Sequence, residues 1–332
     1  MPLLHFQTRD YNCAPGETVL DCLTRQGATV PSSCRSGACQ TCLMRALHGA
    51  HPPSSAQNGL KPTLREQGYF LACLCRPQED LEIALAGEDV APRTSATVVA
   101  KEALNGDILR LSLRCHKPLD YRAGQFAHIV RHDGLMRSYS LPTVPRADGV
   151  IEFHVRRLPD GEMSGWIHET LGTGDTVEVV GPFGNCFYTS GAAEQGLLLV
   201  GTGSGLAPLQ GILSDALRQG HIGPIRLYHG SWKPEGLYLV EELHRLSAKH
   251  PNFVYNPCVD SDAAPTYRQG RADQVALADL PELKGWRVYL CGHPEMVKSV
   301  RKRAFLAGAS MQDIYADPFV LTARPISAGI TA

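Results

Sequence analysis

Hydrophobic and polar positions follow three different patterns along the chain. In the first, "GETVLDCLTRQG" places Val19, Leu20 and Leu23 on one side of a short amphipathic helix that Gly27 ends. Later in the same stretch, "GYFLACLCRP" and "DLEIAL" have the composition of strands. A polar, proline-containing segment over residues 86–97 then predicts a linker.

The second and third stretches differ in the period of their apolar residues. Residues 97–191 contain many short alternating runs separated by turn residues, which favours a small antiparallel barrel. From about residue 196 apolar strands alternate with helices, which indicates a doubly wound parallel sheet. We therefore predict a multidomain protein with an α+β domain over residues 1–90, a β-barrel over 97–192 and an α/β domain over 193–332.

Composition narrows the class of protein. The 332 residues are 43% hydrophobic and 20% charged, with a formal net charge of −1, so charge gives no reason to expect a nucleic-acid partner. The first residues do not resemble a signal peptide, and no run approaches the roughly 20 apolar residues of a membrane span. We expect a cytoplasmic protein without a membrane partner, whose 11 cysteines are not a disulfide framework.

Three cysteines lie close together in "SSCRSGACQTC". Their spacing is Cys34-x4-Cys39-x2-Cys42, and Cys73 in "LACLCRP" is the candidate fourth ligand. Three thiolates on one loop with one distant cysteine is the plant-type pattern for a 2Fe–2S cluster. The small residues around Cys39 allow backbone N–H groups to point at the sulfides.

The segment resembles plant-type ferredoxins, and this resemblance implies a β-grasp-like fold and Cys73 as the ligand. Cys75 remains the second candidate for that position. A zinc site made of Cys39, Cys42, Cys73 and Cys75 is the alternative, but Cys73-x-Cys75 is too short for a zinc knuckle. The isolated cysteines are expected to be packed free thiols: Cys13, Cys22, Cys115, Cys186 and Cys258.

The motif "RSYSLP" carries chemistry suited to a flavin. The Arg137 fork suits a pyrophosphate, the Tyr139 ring can cover an isoalloxazine, and the Ser140 hydroxyl can donate to or accept from its reacting nitrogen. Downstream, a glycine turn at Gly161 opens a short helix whose N-terminus can bind phosphate.

Together these segments resemble the flavin domain of the ferredoxin–NADP reductase superfamily. The resemblance implies FAD in preference to FMN. It places Arg137, Tyr139 and Ser140 at the flavin, His154, Val155 and Arg156 along its ribose or adenine side, and Gly161, Met163 and Ser164 at the pyrophosphate.

Two further segments carry the signals of a nicotinamide site. "LLLVGTGSGLAPLQGIL" is a strand, a glycine turn and a helix, and small residues there allow the backbone to approach a pyrophosphate. By the same resemblance "YLCGHPEMV" brings a thiol to the nicotinamide ring, and Ser140 and Cys291 are the predicted catalytic residues. An aromatic residue over the flavin is expected from "YADPFV", although relatives usually end there and this chain continues. The implied nicotinamide and aromatic positions are Gly201, Thr202, Gly203, Gly205, Cys291, Gly292 and Phe319.

The order of the three parts resembles the reductase components of bacterial ring-hydroxylating dioxygenases and multicomponent monooxygenases. NADH supplies two electrons, a 2Fe–2S cluster accepts one, and a flavin can mediate between them. The implied path runs from NADH through FAD and the cluster to a terminal oxygenase or an intermediate ferredoxin. A plant-type cluster near about −400 mV can reduce a Rieske centre at about −150 mV or above.

Three other functions remain open at this point. They are a reductase of the same architecture for deoxysugar synthesis, a sodium-pump subunit and a non-catalytic redox sensor. NADPH is also possible, because Ser231 and Lys233 suit a 2′-phosphate whereas Glu235 repels one; family habit favours NADH.

Overall fold

The computed structural model describes residues 1–49, 51–87, 91–261 and 264–320. Its contacts divide the chain into two compact units, Met1–Pro92 and Arg93–Ala332. The first unit contains one mixed sheet, and the second contains one antiparallel and one parallel sheet. The predicted combination of an α+β, a β and an α/β fold is confirmed.

The first unit is a five-stranded sheet with one main helix packed on it. The strand order is β2-β1-β5-β3-β4, in which β1 and β5 are parallel and the other pairs are antiparallel. This is the arrangement expected of a β-grasp fold. Its elements are β1 (Leu3–Phe6), β2 (Arg9–Asn12), α1 (Val19–Arg25), β3 (Leu43–Gly49), a 3₁₀ turn (Ser54–Gln57), α2 (Pro62–Glu66), β4 (Tyr69–Leu71) and β5 (Leu81–Leu85).

Helix α1 forms as its pattern predicts. Thr18 is the N-cap, and its side chain accepts a hydrogen bond from the Asp21 N–H at 3.1 Å. The apolar side chains predicted to face inward, Val19, Leu20 and Leu23, are fully buried. A helix this short is marginally stable by itself, so packing on the sheet supplies most of its stability.

The predicted strand "GYFLACLCRP" ends earlier than its composition suggests. Strand β4 stops at Leu71, and a turn follows in which the Leu74 and Cys75 N–H groups both donate to the Leu71 carbonyl. This turn lifts Cys73 out of the sheet. A continuous strand would instead have carried its side chain in the pleat.

The second unit begins with six antiparallel strands in the order β10-β7-β6-β11-β8-β9. The two edge strands approach each other where the Tyr139 ring lies edge-on to Phe153, with centroids 6.3 Å apart. The sheet is therefore curled towards a barrel. Its elements are β6 (Arg93–Ala103), β7 (Ile108–Cys115), β8 (Phe126–Val130), β9 (Met136–Ser140), β10 (Val150–Arg156), α3 (Glu162–Glu169) and β11 (Thr176–Phe183).

The polar linker expected over residues 86–97 is shorter in the structure. Strand β6 begins at Arg93, and alternating residues Thr94, Ala96 and Val98 are buried. The small and polar residues of this segment gave it the composition of a linker, although every second side chain faces the interior as in a strand. Residues 88–90 lie outside the described part of the chain.

The rest of the second unit is a parallel sheet in the order β15-β14-β13-β12-β16-β17. Helices connect the strands, as in doubly wound folds. The segment Ala272–Asp279 forms a helix that the sequence pattern did not single out. The elements are β12 (Leu197–Thr202), α4 (Leu206–Arg218), β13 (Ile225–Ser231), α5 (Val240–Lys249), β14 (Phe253–Val259), β15 (Arg268–Gln269), α6 (Ala272–Asp279), β16 (Arg287–Gly292), α7 (Pro294–Leu306) and β17 (Ile314–Pro318).

Within the second unit, the antiparallel and parallel sheets are joined by a backbone-to-backbone contact. A Cβ on Gly211 of α4 would lie 2.9 Å from the Gly124 nitrogen and 2.9 Å from the Leu141 carbonyl oxygen. Gly124 itself has φ +100°, a conformation that favours glycine. Only glycine allows the helix to approach the loop this closely.

A strap over residues 186–189 also ties the two sheets together. The Tyr289 hydroxyl donates to the Phe187 carbonyl at 3.2 Å, and the Arg287 guanidinium donates to the Thr189 hydroxyl at 2.8 Å. All these groups are buried. The strap therefore runs along β16 in a fixed register.

Across the described ranges, none of the helices is both long and apolar enough to cross a membrane.

Candidate functional site

The cysteine loop (residues 32–42) presents two thiols at the surface. Cys34 and Cys39 are exposed. The Ser36 and Cys39 N–H groups lie 3.4 and 3.3 Å from Cys34 Sγ, and the Thr41 hydroxyl lies 3.2 Å from Cys39 Sγ. Hydrogen bonds from Ser36 and the Cys39 backbone lower the pKa of Cys34 to about 6, and those from Thr41 lower the pKa of Cys39. The loop is built to hold thiolates.

The backbone of this loop explains how its N–H groups turn inward. Arg35, Gly37 and Gln40 have φ values of +53°, +82° and +57°. Alternating left-handed residues turn successive N–H groups towards one side, which creates a concavity for negatively charged sulfur. A Cβ on Gly37 would lie 2.6 Å from Leu74 Cδ1, so the Leu74 side chain would have to move, and the φ of +82° itself favours glycine.

Cys42 and Cys73 lie inside this concavity. Both are buried, and burial together with the neighbouring Cys42 thiol raises the pKa of Cys73 to about 11, while the Gly37 N–H opposes that rise. The negative charge of Cys34 also acts on Cys73. The structure therefore brings Cys73 next to Cys42, Gly37 and Cys34.

Cys75 is placed differently. It is fully buried, and burial alone raises its pKa to about 12, with no thiol of the cysteine loop among the causes. Its charge acts instead on Cys13, on the other side of α1. A cluster of four thiolates with inward N–H donors fits a 2Fe–2S group, and Cys73 suits it better than Cys75.

Strand β9 carries the predicted flavin residues. Arg137 and Tyr139 share one face of the strand, and burial raises the pKa of the Tyr139 hydroxyl. Ser140 is the last residue of the strand and is buried, at 7% exposure. Arg137 Nη1 donates to the neighbouring Met136 carbonyl at 2.8 Å, and no ion pair is recorded for it in the described residues. A half-buried aromatic ring beside a cation without a carboxylate partner fits a planar, phosphate-bearing cofactor.

The predicted ribose or adenine residues divide into two kinds. His154 and Val155 are buried, whereas Arg156 is exposed. Arg156 Nε donates to Asp107 at 2.8 Å, and its Nη1 lies 3.3 Å from where a Cβ on Gly203 would stand. Of the three, only Arg156 presents its side chain to a ligand near the glycine turn.

The N-terminus of α3 is bare of side-chain caps. Gly161 is its N-cap and makes no side-chain cap hydrogen bond. The Ser164 hydroxyl turns inward, because it accepts from the Leu158 N–H at 3.1 Å and donates to the Gly161 carbonyl at 3.2 Å. Met163 is buried at 2% exposure. A ligand at this end would therefore meet backbone N–H groups rather than the Ser164 or Met163 side chains.

The ends of β12 and β16 form what we call the glycine niche: Gly201, Thr202, Gly203, Gly205, Cys291 and Gly292. Parallel pairing sets Gly201 opposite Cys291. A Cβ on Gly205 would collide with the Cys291 carbonyl oxygen, and one on Gly292 (φ +114°) would lie 2.7 Å from the Thr202 carbonyl oxygen. These glycines therefore let the turn after β12 and the end of β16 approach each other backbone to backbone.

Polar contacts fix the rim of the niche. Thr202 Oγ1 accepts from the His293 N–H at 3.2 Å, and the Gly292 carbonyl accepts from the Phe319 N–H at 2.8 Å. Phe319 is half-buried at this rim. The tail after Val320 lies outside the described residues.

Two residues that sequence reasoning did not connect with the niche lie beside it. Cys186 was expected to be an isolated packed thiol, but its Sγ lies 4.0 Å from Cys291 Sγ. Asp317 is paired with Cys291 in the register of β16 and β17, and burial raises its pKa to about 6. An acidic residue in the strand-like segment "YADPFV" was the available signal for Asp317; no signal linked Cys186 to a residue 105 positions away.

Four buried aromatic and histidine rings contact one another near the glycine niche. The Tyr238 hydroxyl lies 3.1 Å from His154 Nδ1, and the His229 ring lies edge-on to Tyr238 with centroids 5.4 Å apart. His229 Nδ1 lies 3.2 Å from the Tyr255 hydroxyl. Burial lowers the pKa of His154 and of His229 to about 3, so both rings are neutral. These contacts couple the flavin strand β10 to the nucleotide strand β13.

Three family models match the chain in the same order as these sites. They are the 2Fe-2S iron-sulfur cluster binding domain over residues 5–78, the oxidoreductase FAD-binding domain over 95–188 and the oxidoreductase NAD-binding domain over 199–302. The chain belongs to the three-domain reductases of the ferredoxin–NADP reductase superfamily. It is an NAD(P)H-dependent oxidoreductase with 2Fe–2S and FAD cofactors.

Curated relatives cover nearly the whole chain. The reductase subunit of an aromatic O-demethylase from Amycolatopsis sp. is 35% identical over 88% of this chain and 90% of the relative. The ferredoxin–NAD(P)(+) reductase component of a naphthalene 1,2-dioxygenase system from Pseudomonas putida is 35% identical over 92% and 94%.

Solved structures agree with this assignment. The crystal structure of the Amycolatopsis cytochrome P450 reductase GcoB aligns with a TM-score of 0.67 and 32% identity, over 96% of this chain and 99% of that one. The ferredoxin reductase of carbazole 1,9a-dioxygenase aligns with a TM-score of 0.65 and 26% identity, over 96% and 98%. The fold is that of a three-domain reductase.

Proposed function

We propose that this chain is the reductase component of an oxygenase system and delivers electrons singly to a Rieske-type oxygenase. The observation that carries the proposal is the exposure of Cys34 and Cys39. A metal cluster held by exposed thiolates can approach a large protein acceptor, which a buried flavin cannot do. The names of the relatives support an oxygenase as the acceptor, because they belong to demethylase and dioxygenase systems.

The proposed cluster ligands are Cys34, Cys39, Cys42 and Cys73. Inward N–H groups and the lowered pKa of Cys34 keep the loop ready to bind as thiolates. The contacts of Cys73 with Cys42 and Gly37 favour it over Cys75 as the fourth ligand. Ligand assignment is tested directly by iron content of the serine variants.

The proposed hydride-transfer residues are Ser140 and Cys291. FAD held in the second unit would supply the chemistry that the side chains lack, uptake of a hydride and release of electrons one at a time. Ser140 is buried at the end of β9, where its hydroxyl can hold a proton at a reacting nitrogen. Burial raises the pKa of Cys291 well above its usual value, so its thiol stays neutral and adds no charge to the niche.

Asp317 adds an ionisable carboxyl beside Cys291. Above a pH of about 6 it is ionised, and a nicotinamide that has lost its hydride carries a positive charge. The carboxylate therefore favours the oxidised nucleotide.

We assign the remaining cofactor roles by position. Arg137 and the N-terminus of α3, at Gly161, Met163 and Ser164, are proposed to hold the FAD pyrophosphate, Tyr139 and Phe319 to flank its ring system, and Arg156 with the backbone around His154 and Val155 to pass its nucleotide half. Domain limits of 1–90, 97–192 and 193–332 remain our proposal, with the barrel extended back to Arg93 by strand β6.

We propose NADH as the preferred nucleotide. Lys233 and Glu235 are both exposed just after β13, so the charge of one offsets the other where a 2′-phosphate would lie. Initial rates with NADH and NADPH at equal concentration measure the preference. A higher kcat/KM with NADPH would reverse this assignment.

Partner identity is tested by reconstitution. The purified reductase with NADH is mixed with a Rieske oxygenase component and, separately, with a bacterial cytochrome P450, each with its substrate. Product formed per NADH consumed is measured. We expect coupled turnover with the Rieske protein. A second candidate function is electron delivery to a cytochrome P450, which the 32% identity to a P450 reductase supports. Coupled turnover with the P450 alone would favour this second function.

A further inference from the structure

A second group of cysteines lies in the first unit, apart from the proposed iron ligands. Cys13, at the end of β2, and Cys22, in α1, face each other in the interior with at most 1% exposure. The Glu17 carboxylate comes from the turn between them. One ligand atom from each of the three side chains lies within 4.8 Å of the others.

We propose that Cys13, Glu17 and Cys22 form a binding site for a divalent thiophilic cation of the Zn²⁺ class. Zinc–sulfur bonds are about 2.3 Å and zinc–oxygen bonds about 2.0–2.2 Å, so two ligand atoms on a tetrahedral ion lie roughly 3.6–3.8 Å apart. The three ligand atoms lie within 4.8 Å of one another, so binding requires the side chains to close in by about 1 Å. Two thiolates and a carboxylate are a donor set that suits zinc rather than magnesium or calcium.

The side chains around the three ligands already hold them in place. Gln26 Nε2 donates to Cys22 Sγ at 3.3 Å. Arg25 donates to both Glu17 oxygens at 2.7 and 2.8 Å, and the Ala14 N–H donates to Glu17 Oε2 at 2.9 Å. Such outer contacts orient metal ligands and are part of built metal sites.

The charges of the group balance a divalent ion. Binding replaces the two thiol protons of Cys13 and Cys22 with the cation, and two protons are released to solvent. The two thiolates and the Glu17 carboxylate then carry three negative charges, against the Arg25 guanidinium and the dipositive ion. The occupied site is neutral, which matters for a group so deeply buried.

The site has an entry path and a structural consequence. The Glu17 side chain is 14% exposed, so a cation can reach it from solvent before meeting the thiols. Helix α1 in turn donates from the Val19 N–H to the Cys75 carbonyl at 2.8 Å and from the Leu20 N–H to the Ala72 carbonyl at 3.0 Å. A cation joining β2 to α1 therefore steadies the turn that carries Cys73.

The first test is the metal content of the full-length holoprotein. The protein is incubated with zinc sulfate and desalted, and zinc and iron per chain are measured by mass spectrometry. We expect a single retained zinc ion with the iron content and visible spectrum unchanged. Absence of retained zinc from protein with full iron content overturns the proposal.

Variants locate the ion. Cys13→Ser with Cys22→Ser is expected to abolish zinc retention, and Gln26→Met to weaken affinity roughly 10- to 100-fold, as outer-contact changes do. Cys258→Ser, which removes another buried thiol, is the matched control and should retain zinc. Equal zinc retention by the double variant and the control overturns the proposal.

A measurement on the unaltered protein covers the case in which the double variant fails to fold. Alkylation of the unfolding protein, followed by peptide mapping, compares zinc-loaded and zinc-free samples. Zinc should slow alkylation of Cys13 and Cys22 while Cys258 reacts equally in both. Protection confined to Cys34 and Cys39 would show zinc in the iron site and overturn the proposal. None of these readouts depends on electron transfer, so they are independent of the proposed function.

Discussion

The cysteine loop and the glycine niche have opposite effects on a negatively charged side chain. In the loop, exposed Cys34 is stabilised as a thiolate by hydrogen bonds from the Ser36 hydroxyl and from the Cys39 and Ser36 N–H groups, which bring its pKa down to about 6. In the niche, Asp317 is held away from water, and burial brings its pKa up to about 6. One region favours charge at the surface, where electrons must leave. The other disfavours charge in the interior, where a hydride must move without water.

This contrast explains why the loop uses left-handed residues with side chains and the niche uses glycines. Arg35 and Gln40 have positive φ and exposed side chains, and next to them the Ser36 and Cys39 N–H groups point at Cys34 Sγ. In the niche, Gly205 and Gly292 face backbone atoms, so a side chain at either position would force the ends of β12 and β16 apart. The following predictions separate the two regions, beginning with the largest effect.

Removal of the first unit should abolish only the transfer of single electrons to large protein acceptors. A shortened chain that begins at Arg93 keeps β6 whole and should fold, bind FAD and reduce ferricyanide with NADH. Its reduction of cytochrome c and of an oxygenase partner should fall to background, because the exposed thiolate loop is gone. Steady-state rates with the three acceptors make the comparison. Partner reduction at the full-length rate would show that the loop is not the exit.

Cys73→Ser should remove the iron and leave the second unit unaffected. The variant loses one thiolate from the concavity, so iron and the ferric-sulfide absorption should disappear while FAD content and ferricyanide reduction persist. Cys75→Ser is the matched control, since it alters a buried thiol two residues away. Iron loss in Cys75→Ser together with iron retention in Cys73→Ser would reverse the ligand assignment.

Gly205→Ala should damage the niche and spare the loop. The new Cβ would collide with the Cys291 carbonyl oxygen, and a misplacement of about 1 Å between reacting groups costs roughly 100-fold in rate. We expect a loss of that size in the rate of flavin reduction by NADH in stopped-flow, with normal iron content. Gly165→Ala, where a Cβ has open space, is the control. Equal rates for both variants would contradict a nicotinamide in the niche.

Arg137→Ala should weaken retention of FAD. Loss of a charge-assisted contact with a pyrophosphate costs about 1.5–3 kcal/mol, or roughly 10- to 150-fold in affinity. Flavin occupancy after dialysis measures the effect, and Arg146→Ala is a control because that arginine is already paired with Asp148. Full occupancy in Arg137→Ala would count against a phosphate at this position.

Asp317→Asn should change how stability depends on pH. The pKa of Asp317 is raised from 3.8 to about 6, so the unfolded chain ionises first and the wild type loses stability as pH rises from about 4 to about 6. The asparagine variant avoids this loss, which amounts to at most about 3 kcal/mol. Melting of the FAD signal should show a higher melting temperature for the variant at about pH 7.5 and no difference near pH 4. A constant difference at both pH values would rule out the buried charge as its cause.

Sequence patterns predicted the three folds and most strands because the spacing of apolar residues along a helix or a strand determines which side chains are buried. Val19, Leu20 and Leu23 face the core because their spacing leaves no other amphipathic arrangement of α1. The turn at Cys73 was not visible in the composition, because "GYFLACLCRP" is apolar throughout and its hydrogen bonds decide where β4 ends. Glycine turns were visible because few other residues tolerate such backbone conformations.

Long-range contacts were the part that sequence patterns could not supply. Cys186 meets Cys291, and Asp317 meets the niche, only after the strap and β17 have aligned with β16. His154 was expected along the cofactor, and its side chain instead bonds to Tyr238, which lies 84 positions later. Such partners depend on which strands become neighbours, and local composition does not contain that information.

The glycine contact between α4 and the loop at Gly124 has a consequence for which positions of the second unit can vary. Because backbone meets backbone there, any side chain at Gly211 would push the two sheets apart. Exposed positions after β13, such as Trp232 and Lys233, are under no such restriction. The spacing of the two sheets is thus set by a glycine in the interior, whereas the surface after β13 can change its charge and size without altering that spacing.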